Sequence, residues 1–165
     1  MKKMEIDIKH ACCFTGHRPE RLEMPPGKVK RWLEEQIRKA VEDGYTDFVT
    51  GMQRGVDIWA AEIVMKLKEE GKPVKLICVS AWKGMEGGWE QGWIDRYNAI
   101  LKVSDKTVYV SNTPGRAAFF QRNHWMVDHS SKVIGVFTGA PGGTKETIEY
   151  AKKNGREVVV INRYK

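Results

Sequence analysis

Glycine is combined with anion-binding side chains in three short segments, at residues 15–19, 50–55 and 138–144. Each segment follows an apolar run that is typical of a buried strand, and two of them lead almost directly into a helical pattern. Glycine lets the backbone approach a ligand closely, and a helix N-terminus offers unpaired N–H groups with partial positive charge. The segments therefore predict an anion-binding rim that holds phosphate. Its predicted ligand-binding residues are Gly16, His17, Arg18, Gly51, Arg54, Gly55, Gly139, Gly142, Gly143 and Thr144.

The glycine spacing excludes two common nucleotide-binding motifs. A single glycine turn between a strand and a helix is often explained by steric needs alone, but three such turns at one predicted sheet edge favour a binding site. None of them matches the GxGxxG fingerprint or the GxxxxGK[ST] loop. The sequence therefore argues against an ordinary NAD dehydrogenase and against a P-loop ATPase.

Several side chains near these turns have two interpretations each. Arg18 can bind phosphate bidentately, or it can cap its own loop, and His17 can donate to an anion or transfer a proton. Asp57, early in a predicted helix, either complements the helix dipole or binds a ribose hydroxyl. Glu62 interrupts an apolar stretch and is either exposed or directed at the site.

A second group of polar residues lies within residues 119–128. Phe119, Asn123 and Met126 share one face of the predicted helix. A buried amide without a partner costs on the order of 1–3 kcal/mol, so Asn123 needs either a backbone turn or a ligand. The predicted ligand-binding residues therefore also include Asp57, Arg122, Asn123 and Asp128.

The composition indicates a folded chain with an anionic partner. Of its 165 residues, 41% are apolar and 30% are charged, which excludes an extended disordered chain. The net charge of +7 suits a nucleotide and also nucleic acid, although the basic residues are spread along the chain like solvated helix faces. No apolar run approaches the roughly 20 residues that span a membrane.

The cysteines and histidines show no spacing typical of a metal site, so no metal is predicted. Cys12, Cys13 and Cys78 lie in apolar segments and form an odd-numbered set. This pattern predicts reduced, buried thiols in the cytoplasm.

Strand and helix patterns alternate along the chain. The predicted strands cover residues 11–15, 47–50, 74–79, 107–110, 133–137 and 158–161. The predicted helices cover residues 28–43, 56–70, 93–101, 117–128 and 145–154, and residues 84–92 form a glycine-rich loop. Trp82, Trp89 and Trp93, in or beside this loop, either stack on a base or anchor the loop to the core. The pattern predicts a single doubly wound α/β domain over residues 1–165, with a mainly parallel, Rossmann-like sheet covered by helices on both faces.

Four motifs in a fixed order resemble a known family. They are GHRP at 16–19, TG at 50–51 with GVDIWAAE at 55–62, RN at 122–123 with WMVD at 125–128, and GGT at 142–144. Together, over nearly the whole chain, they resemble the SLOG superfamily and, within it, the YpsA-like family. The resemblance implies a Rossmann-like fold and a site that binds or senses nucleotides or their derivatives, such as ADP-ribose or NAD.

More distant resemblance connects the chain to cytokinin-activating phosphoribohydrolases, often labelled lysine decarboxylase-like, and to the Rossmann domain of DprA. The phosphoribohydrolases carry an Arg, a Met four residues later, and PGGxGTxxE. Arg122 and Met126 match the first part, whereas residues 141–144 read PGGT without the second spaced glycine. Thr147 stands where the Glu is expected. The resemblance therefore carries over phosphate binding more firmly than hydrolysis.

Three functions follow from these observations. The first is binding or sensing of a nucleotide-derived small molecule at the carboxyl edge of the sheet, with no fixed cofactor. The second is cleavage of an N-glycosidic bond in a nucleoside monophosphate, with Glu62 or Glu146 as acid or base and Arg122 stabilising charge. The third is binding of single-stranded nucleic acid. A homo-oligomer is compatible with all three.

Overall fold

A computed structural model describes residues 5–161 and shows an α/β fold built on one six-stranded sheet. The strands are β1 (Ala11–Gly16), β2 (Asp47–Thr50), β3 (Lys75–Ser80), β4 (Lys106–Tyr109), β5 (Lys132–Val136) and β6 (Glu157–Val160). The helices are α1 (Pro26–Glu42), α2 (Val56–Glu69), α3 (Gln91–Val103), α4 (Arg116–Asp128) and α5 (Gly143–Lys153). The predicted fold class is confirmed. Residues 1–4 and 162–165 of the predicted domain lie outside the described residues.

The sheet is parallel throughout, with the strand order β4-β3-β2-β1-β5-β6. From β1 the chain proceeds outward through β2 and β3 to β4, and it then crosses back so that β5 pairs with the other side of β1. The winding direction therefore reverses between β1 and β5, where Gly16 lies opposite Val136. In open α/β sheets, ligands bind at such a switch point, beyond the carboxyl ends of the strands.

Helices cover both faces of the sheet and divide the core into two layers. Cys12 and Phe14 belong to the layer beneath α1, α2 and α3, whereas Cys13 packs in the layer with Met126 of α4 and Ala151 of α5. Successive strand residues point to opposite faces, so one short apolar run supplies both layers. This explains why the strands have continuous rather than alternating apolar residues.

The helices differ in how much of their surface is buried. In α1, the buried residues are Val29, Leu33, Ile37 and Ala40, which form a single apolar face. By contrast, α2 is buried on most sides because α1 and α3 flank it above the centre of the sheet. Within residues 5–161, no helix combines the length and apolar character needed to cross a membrane.

Three helices, α1, α3 and α5, begin two residues earlier than the sequence pattern predicts, and α4 begins one residue earlier. The first turn of α5 starts at Gly143 rather than residue 145, because Gly142, at φ 141°, redirects the chain and its carbonyl accepts the Glu146 N–H at 3.1 Å. Similarly, α3 starts at Gln91, so the predicted boundary of the 84–92 loop was wrong at its end. Gly92 lies inside the first helical turn, because the preceding Glu90 carbonyl accepts the N–H groups of Trp93 and Ile94 at 3.0 and 3.2 Å.

Candidate functional site

A pocket of about 270 Å³ opens at the carboxyl ends of the strands, at the switch point between β1 and β5. One part of its wall comes from the end of β1 and the following turn, and another from α4 and the first turn of α5. The lining residues are Phe14, Thr15, Gly16, His17, Arg18, Arg21, Gln53, Asp57, Arg116, Phe119, Phe120, Arg122, Asn123, Gly143 and Thr144.

Eight of the residues predicted from the sequence meet in this pocket. They are Gly16, His17, Arg18, Asp57, Arg122, Asn123, Gly143 and Thr144. They come from four separate parts of the chain, and the parallel sheet brings them to one edge. The predicted convergence of the β1 turn with the α5 turn is therefore present in the structure.

Arg122 is a buried cation of the pocket, with 6% of its surface exposed. Its Nη1 donates to the Gly51 carbonyl at 3.0 Å, and its Nε and Nη2 donate to Oδ1 of Asn123 at 3.3 and 3.2 Å. Its guanidinium carbon lies 5.1 Å from the ring centre of Phe119. Burial lowers the pKa of Arg122 and the charge of Asp57 opposes this, but a guanidinium stays protonated. Arg122 thus connects the β2 turn to α4 and brings positive charge to the pocket.

Asp57 supplies a buried carboxyl group from the first turn of α2, with 6% of its surface exposed. Its Oδ2 accepts the Gln53 N–H at 3.3 Å, while its Oδ1 is buried without a hydrogen-bond partner among the described residues. Burial raises the pKa of Asp57 to about 6, although the Arg122 charge and the Gln53 N–H both lower it. An unmet buried polar atom is costly, so a hydroxyl or amino group of a ligand would stabilise Oδ1.

Asn123 is oriented by its neighbour. Because its amide oxygen accepts two N–H groups from Arg122, the reversed amide would set donor against donor. The Nδ2 atom lies 3.7 Å from the position that a Cβ would take on Gly143. Asn123 therefore directs N–H donors toward the first turn of α5, whose own backbone N–H groups have no helical partner.

His17 is buried directly after β1. Its Nε2 lies 3.2 Å from Oγ1 of Thr138, and its ring centre lies 5.9 Å from that of Phe137. Burial, and to a lesser extent the charge of Arg21, lower the pKa of His17, while Glu23 raises it. A lowered pKa favours the neutral imidazole near pH 7, so His17 serves as a hydrogen-bonding group rather than a fixed cation.

Two glycines are explained by close packing around the start of α2. A Cβ on Gly16 would lie 2.5 Å from Cγ2 of Val56, so this strand end and helix can meet only because Gly16 has no side chain. Gly55 precedes α2 at φ 92°, and a Cβ there would lie 2.9 Å from Cδ of Pro19. Gly55 shapes the site without lining it.

The remaining predicted glycines also lie behind or beside the pocket. A Cβ on Gly51 would lie 2.8 Å from Oδ2 of Asp57, and the Gly51 carbonyl accepts from Arg122. Gly139 and Gly142 have φ values of 97° and 141° in the turn between β5 and α5. These three residues determine the path of the backbone that carries the lining residues.

Both carboxylates considered for acid–base catalysis lie outside the pocket lining. Glu62 accepts two hydrogen bonds from Arg96 of α3, one of them at 2.9 Å. It stands five residues after Asp57 and is therefore rotated by about 140° around the helix. Oε1 of Glu146 lies 2.5 Å from Nε2 of His124. Because Glu146 stands two residues after Thr144, it is rotated by about 160° around the axis of α5 from that lining residue.

Two predicted ligand-binding residues are likewise outside the lining. Asp128 is the last residue of α4, and it lies outside the lining because the helix runs away from the carboxyl edge of the sheet. Its Oδ1 accepts a hydrogen bond from the Tyr150 hydroxyl at 2.7 Å. Arg54 pairs with Glu20 at 2.9 Å. The pair connects the β2 turn to the β1 turn.

Seven lining residues were not among the predicted site residues. They are Phe14, Thr15, Arg21, Gln53, Arg116, Phe119 and Phe120. One signal could have found three of them, because residues 116, 119, 120 and 123 follow the three- and four-residue spacing of a helix face. The folding of the β1 turn, which brings in Arg21, has no such signal.

The tryptophans near the glycine-rich loop are engaged in packing. Trp89 lies edge-on to Tyr97, with ring centres 5.7 Å apart, and Trp93 packs on Trp59 at 6.4 Å. Trp82 contacts Phe119 at 5.1 Å, on the side of the loop nearest the pocket. These contacts favour the anchoring interpretation over base stacking by tryptophan.

The pocket can bind an anion that also carries hydrogen-bond donors. Its lining includes four arginines and one carboxylate, so positive charge predominates, and Asn123 and Thr144 lie near the start of α5. In residues 5–161, no three His, Cys, Asp or Glu side chains are grouped so that they could hold a metal ion.

Comparison with solved structures shows the fold. DNA processing protein A from Helicobacter pylori, described for its single-stranded DNA binding mode, matches with a TM-score of 0.67 and 19% identity over 94% of this chain. DNA processing protein A (DprA) from Streptococcus pneumoniae matches with a TM-score of 0.65 and 16% identity, also over 94% of the chain. This chain spans 66% and 50% of those two chains, respectively.

Comparison of sequences shows the family. The UPF0398 protein of Oceanobacillus iheyensis is 27% identical over 136 residues, covering 81% of this chain and 73% of the relative. The UPF0398 protein of Halalkalibacterium halodurans is 29% identical over 128 residues, covering 76% and 68%. A model of the YpsA family, described as the YspA SLOG family, matches residues 12–164. The chain therefore belongs to the YspA SLOG family.

Proposed function

We propose that the pocket binds a phosphorylated, nucleotide-derived small molecule. The observation that carries this proposal is a buried carboxylate oxygen without a hydrogen-bond partner among residues 5–161, in a pocket that four arginines line. The arginines and the first turn of α5 suit a phosphate group, because they offer cationic and backbone N–H donors. The Asp57 carboxyl suits the hydroxyl or amino groups that a nucleoside carries.

The size of the pocket favours a mononucleotide over a dinucleotide. Small-molecule sites commonly measure about 300–1,000 Å³, and this pocket, at about 270 Å³, lies just below that range. A nucleoside monophosphate would occupy it, while the second half of NAD or ADP-ribose would extend beyond it. We therefore expect the AMP portion of a larger ligand such as NAD or ADP-ribose to make most of the contacts with the pocket.

Single-stranded DNA binding is the second candidate. Arg18, Arg21 and Arg116 are exposed at the pocket and could follow a phosphate backbone. The Helicobacter pylori DprA chain, which shares the fold, is described as binding single-stranded DNA. Glycosidic hydrolysis has less support, because Asp57 is the one carboxylate among the described residues that line the pocket.

The proposal includes no fixed cofactor and a reducing compartment such as the cytoplasm. The support for the compartment is that Cys12, Cys13 and Cys78 are free and buried. A homo-oligomer stays a prediction.

The test is a calorimetric titration with AMP, ADP, ADP-ribose, NAD and 5′-phosphorylated oligonucleotides, with chromatography of every mixture. We expect saturable binding of AMP without ribose 5-phosphate release. Asn123→Asp should weaken binding, because it replaces donors by a negative charge facing the phosphate. The matched control Asn98→Asp, at an exposed position of α3, should leave binding unchanged. Affinity that rises with oligonucleotide length and falls steeply with salt would favour DNA instead. No binding of any nucleotide would overturn the proposal.

A further inference from the structure

Phe120 is an aromatic side chain at the pocket without a ring partner among residues 5–161. Trp82 lies against Phe119, which also faces the guanidinium of Arg122. The Phe120 ring instead has the guanidinium carbon of Arg116 5.5 Å from its centre. Both Phe120 and Arg116 line the pocket, and Phe120 is only partly buried.

The pocket is chemically asymmetric. The end of β1 and the first turn of α5 contribute polar and backbone groups, including Gly16 and Thr144. The first two turns of α4 contribute Phe120 together with a cation that can stack on a flat ring. Arginine stacks on aromatic faces because its guanidinium is planar and weakly hydrated. A ligand with a phosphate at one end and a flat ring at the other matches this division.

We propose that Phe120 and Arg116 form the subsite for the aromatic base of the ligand, so that the phosphate points toward Asn123 and Thr144. This inference rests on the proposed function and adds the requirement for a base. Stacking uses the face of the ring rather than its edge, so the subsite accepts purines and pyrimidines alike. The ligand class is accordingly a 5′-phosphorylated nucleoside rather than a sugar phosphate.

The test compares AMP with ribose 5-phosphate, which lacks the base, on the wild type and on Phe120→Ala. We expect Phe120→Ala to lower AMP affinity about 5- to 100-fold, the range that alanine substitution of a stacking ring gives. The affinity for ribose 5-phosphate should change less than about twofold, because the phosphate contacts remain. Phe120→Trp should restore AMP binding, and CMP should respond like AMP.

Tyr109→Ala provides the matched control, since it removes an exposed aromatic ring on β4, outside the pocket lining. The urea midpoint of Phe120→Ala shows whether its fold is intact, and Phe120→Leu, which keeps an apolar side chain, serves as a second variant without the ring. AMP binding that Phe120→Ala leaves unchanged would overturn the base subsite alone. An equal loss for AMP and ribose 5-phosphate would do the same. Failure of AMP to bind the wild type would overturn this inference, and failure of every nucleotide tested would overturn the proposed function as well.

Discussion

Arg122 of α4 and Asp57 of α2 carry opposite charges in one pocket, yet Arg122 donates its hydrogen bonds to the Gly51 carbonyl and to Asn123. The cation is therefore held by the backbone of the β2 turn, independently of the carboxylate. The charge of Arg122 still lowers the pKa of Asp57 without satisfying its Oδ1. This arrangement leaves a buried acceptor in the pocket without a partner among residues 5–161, at a cost to stability.

The contribution of Asp57 to stability, measured as the difference between the wild type and Asp57→Asn, should fall as the pH rises from about 4 to about 7. Burial raises the pKa of Asp57 from 3.8 to about 6, so the folded state binds the proton more tightly than the unfolded state. The stabilisation is therefore complete below pH 4 and is lost as the pH passes 6, with a limit of roughly 3 kcal/mol. Urea unfolding of the wild type and Asp57→Asn across this range measures it. A difference between them that does not vary with pH would contradict the prediction.

Arg122→Lys should destabilise the protein by about 2 kcal/mol, although the charge is kept. A lysine cannot make the forked contacts to Gly51 and Asn123, and hydrogen bonds from charged groups contribute roughly 1.5–3 kcal/mol. Equilibrium unfolding in urea gives the value. Arg116→Lys is the control, because Arg116 is exposed and its replacement should stay within about 0.5 kcal/mol. Equal stability of the two variants would argue against the anchoring role of Arg122.

Gly16→Ala should lower the free energy of unfolding by about 1–3 kcal/mol. The added Cβ would lie 2.5–2.9 Å from the side chain of Val56, and strand and helix would have to separate. Gly92→Ala is the opposite case, since Gly92 lies in α3 with open space around it and should gain up to about 1 kcal/mol. Thermal unfolding of both variants checks this contrast. A tolerated Gly16→Ala would remove the steric explanation.

Glu62→Gln and Glu146→Gln should leave AMP affinity unchanged. Glu62 pairs with Arg96 and Glu146 with His124, both outside the pocket lining, and such partly exposed pairs contribute about 0–1 kcal/mol. Calorimetry with AMP and an assay for released ribose 5-phosphate test the two variants against Asp57→Asn, which should weaken binding. If the wild type released ribose 5-phosphate and either glutamine variant did not, that glutamate would be catalytic.

The strands of the sheet can be predicted from the sequence because each is marked by a short apolar run. Runs such as residues 11–15 are apolar throughout, and glycine at their ends marks the turns that the parallel sheet then brings together. Gly16, Asp57 and Gly143 could be assigned to one edge by this logic alone. The first residues of the helices were harder to predict from the sequence, because they depend on backbone hydrogen bonds such as the one that the Glu146 N–H donates to the Gly142 carbonyl.

Direction around a helix explains the part of the site that α4 contributes and the exclusion of Glu62 from the pocket lining. Glu62 follows Asp57 closely along the chain but lies far around α2, where Arg96 of α3 binds it. Arg116 lies two turns before Asn123, on a face that a count of three- and four-residue steps predicts. Arg21 enters the pocket through the folding of the β1 turn, for which local sequence offers no periodicity.

The two-layered core makes the cysteines natural reporters of unfolding. Cys12 and Cys13 are adjacent in the chain but lie on opposite sides of the sheet, so the native fold keeps their thiols from meeting. Burial raises the pKa of both thiols and suppresses the reactive thiolate. Alkylation of each cysteine therefore requires its own helical layer to detach. The relative labelling rates of these neighbours would show which side of the sheet opens first.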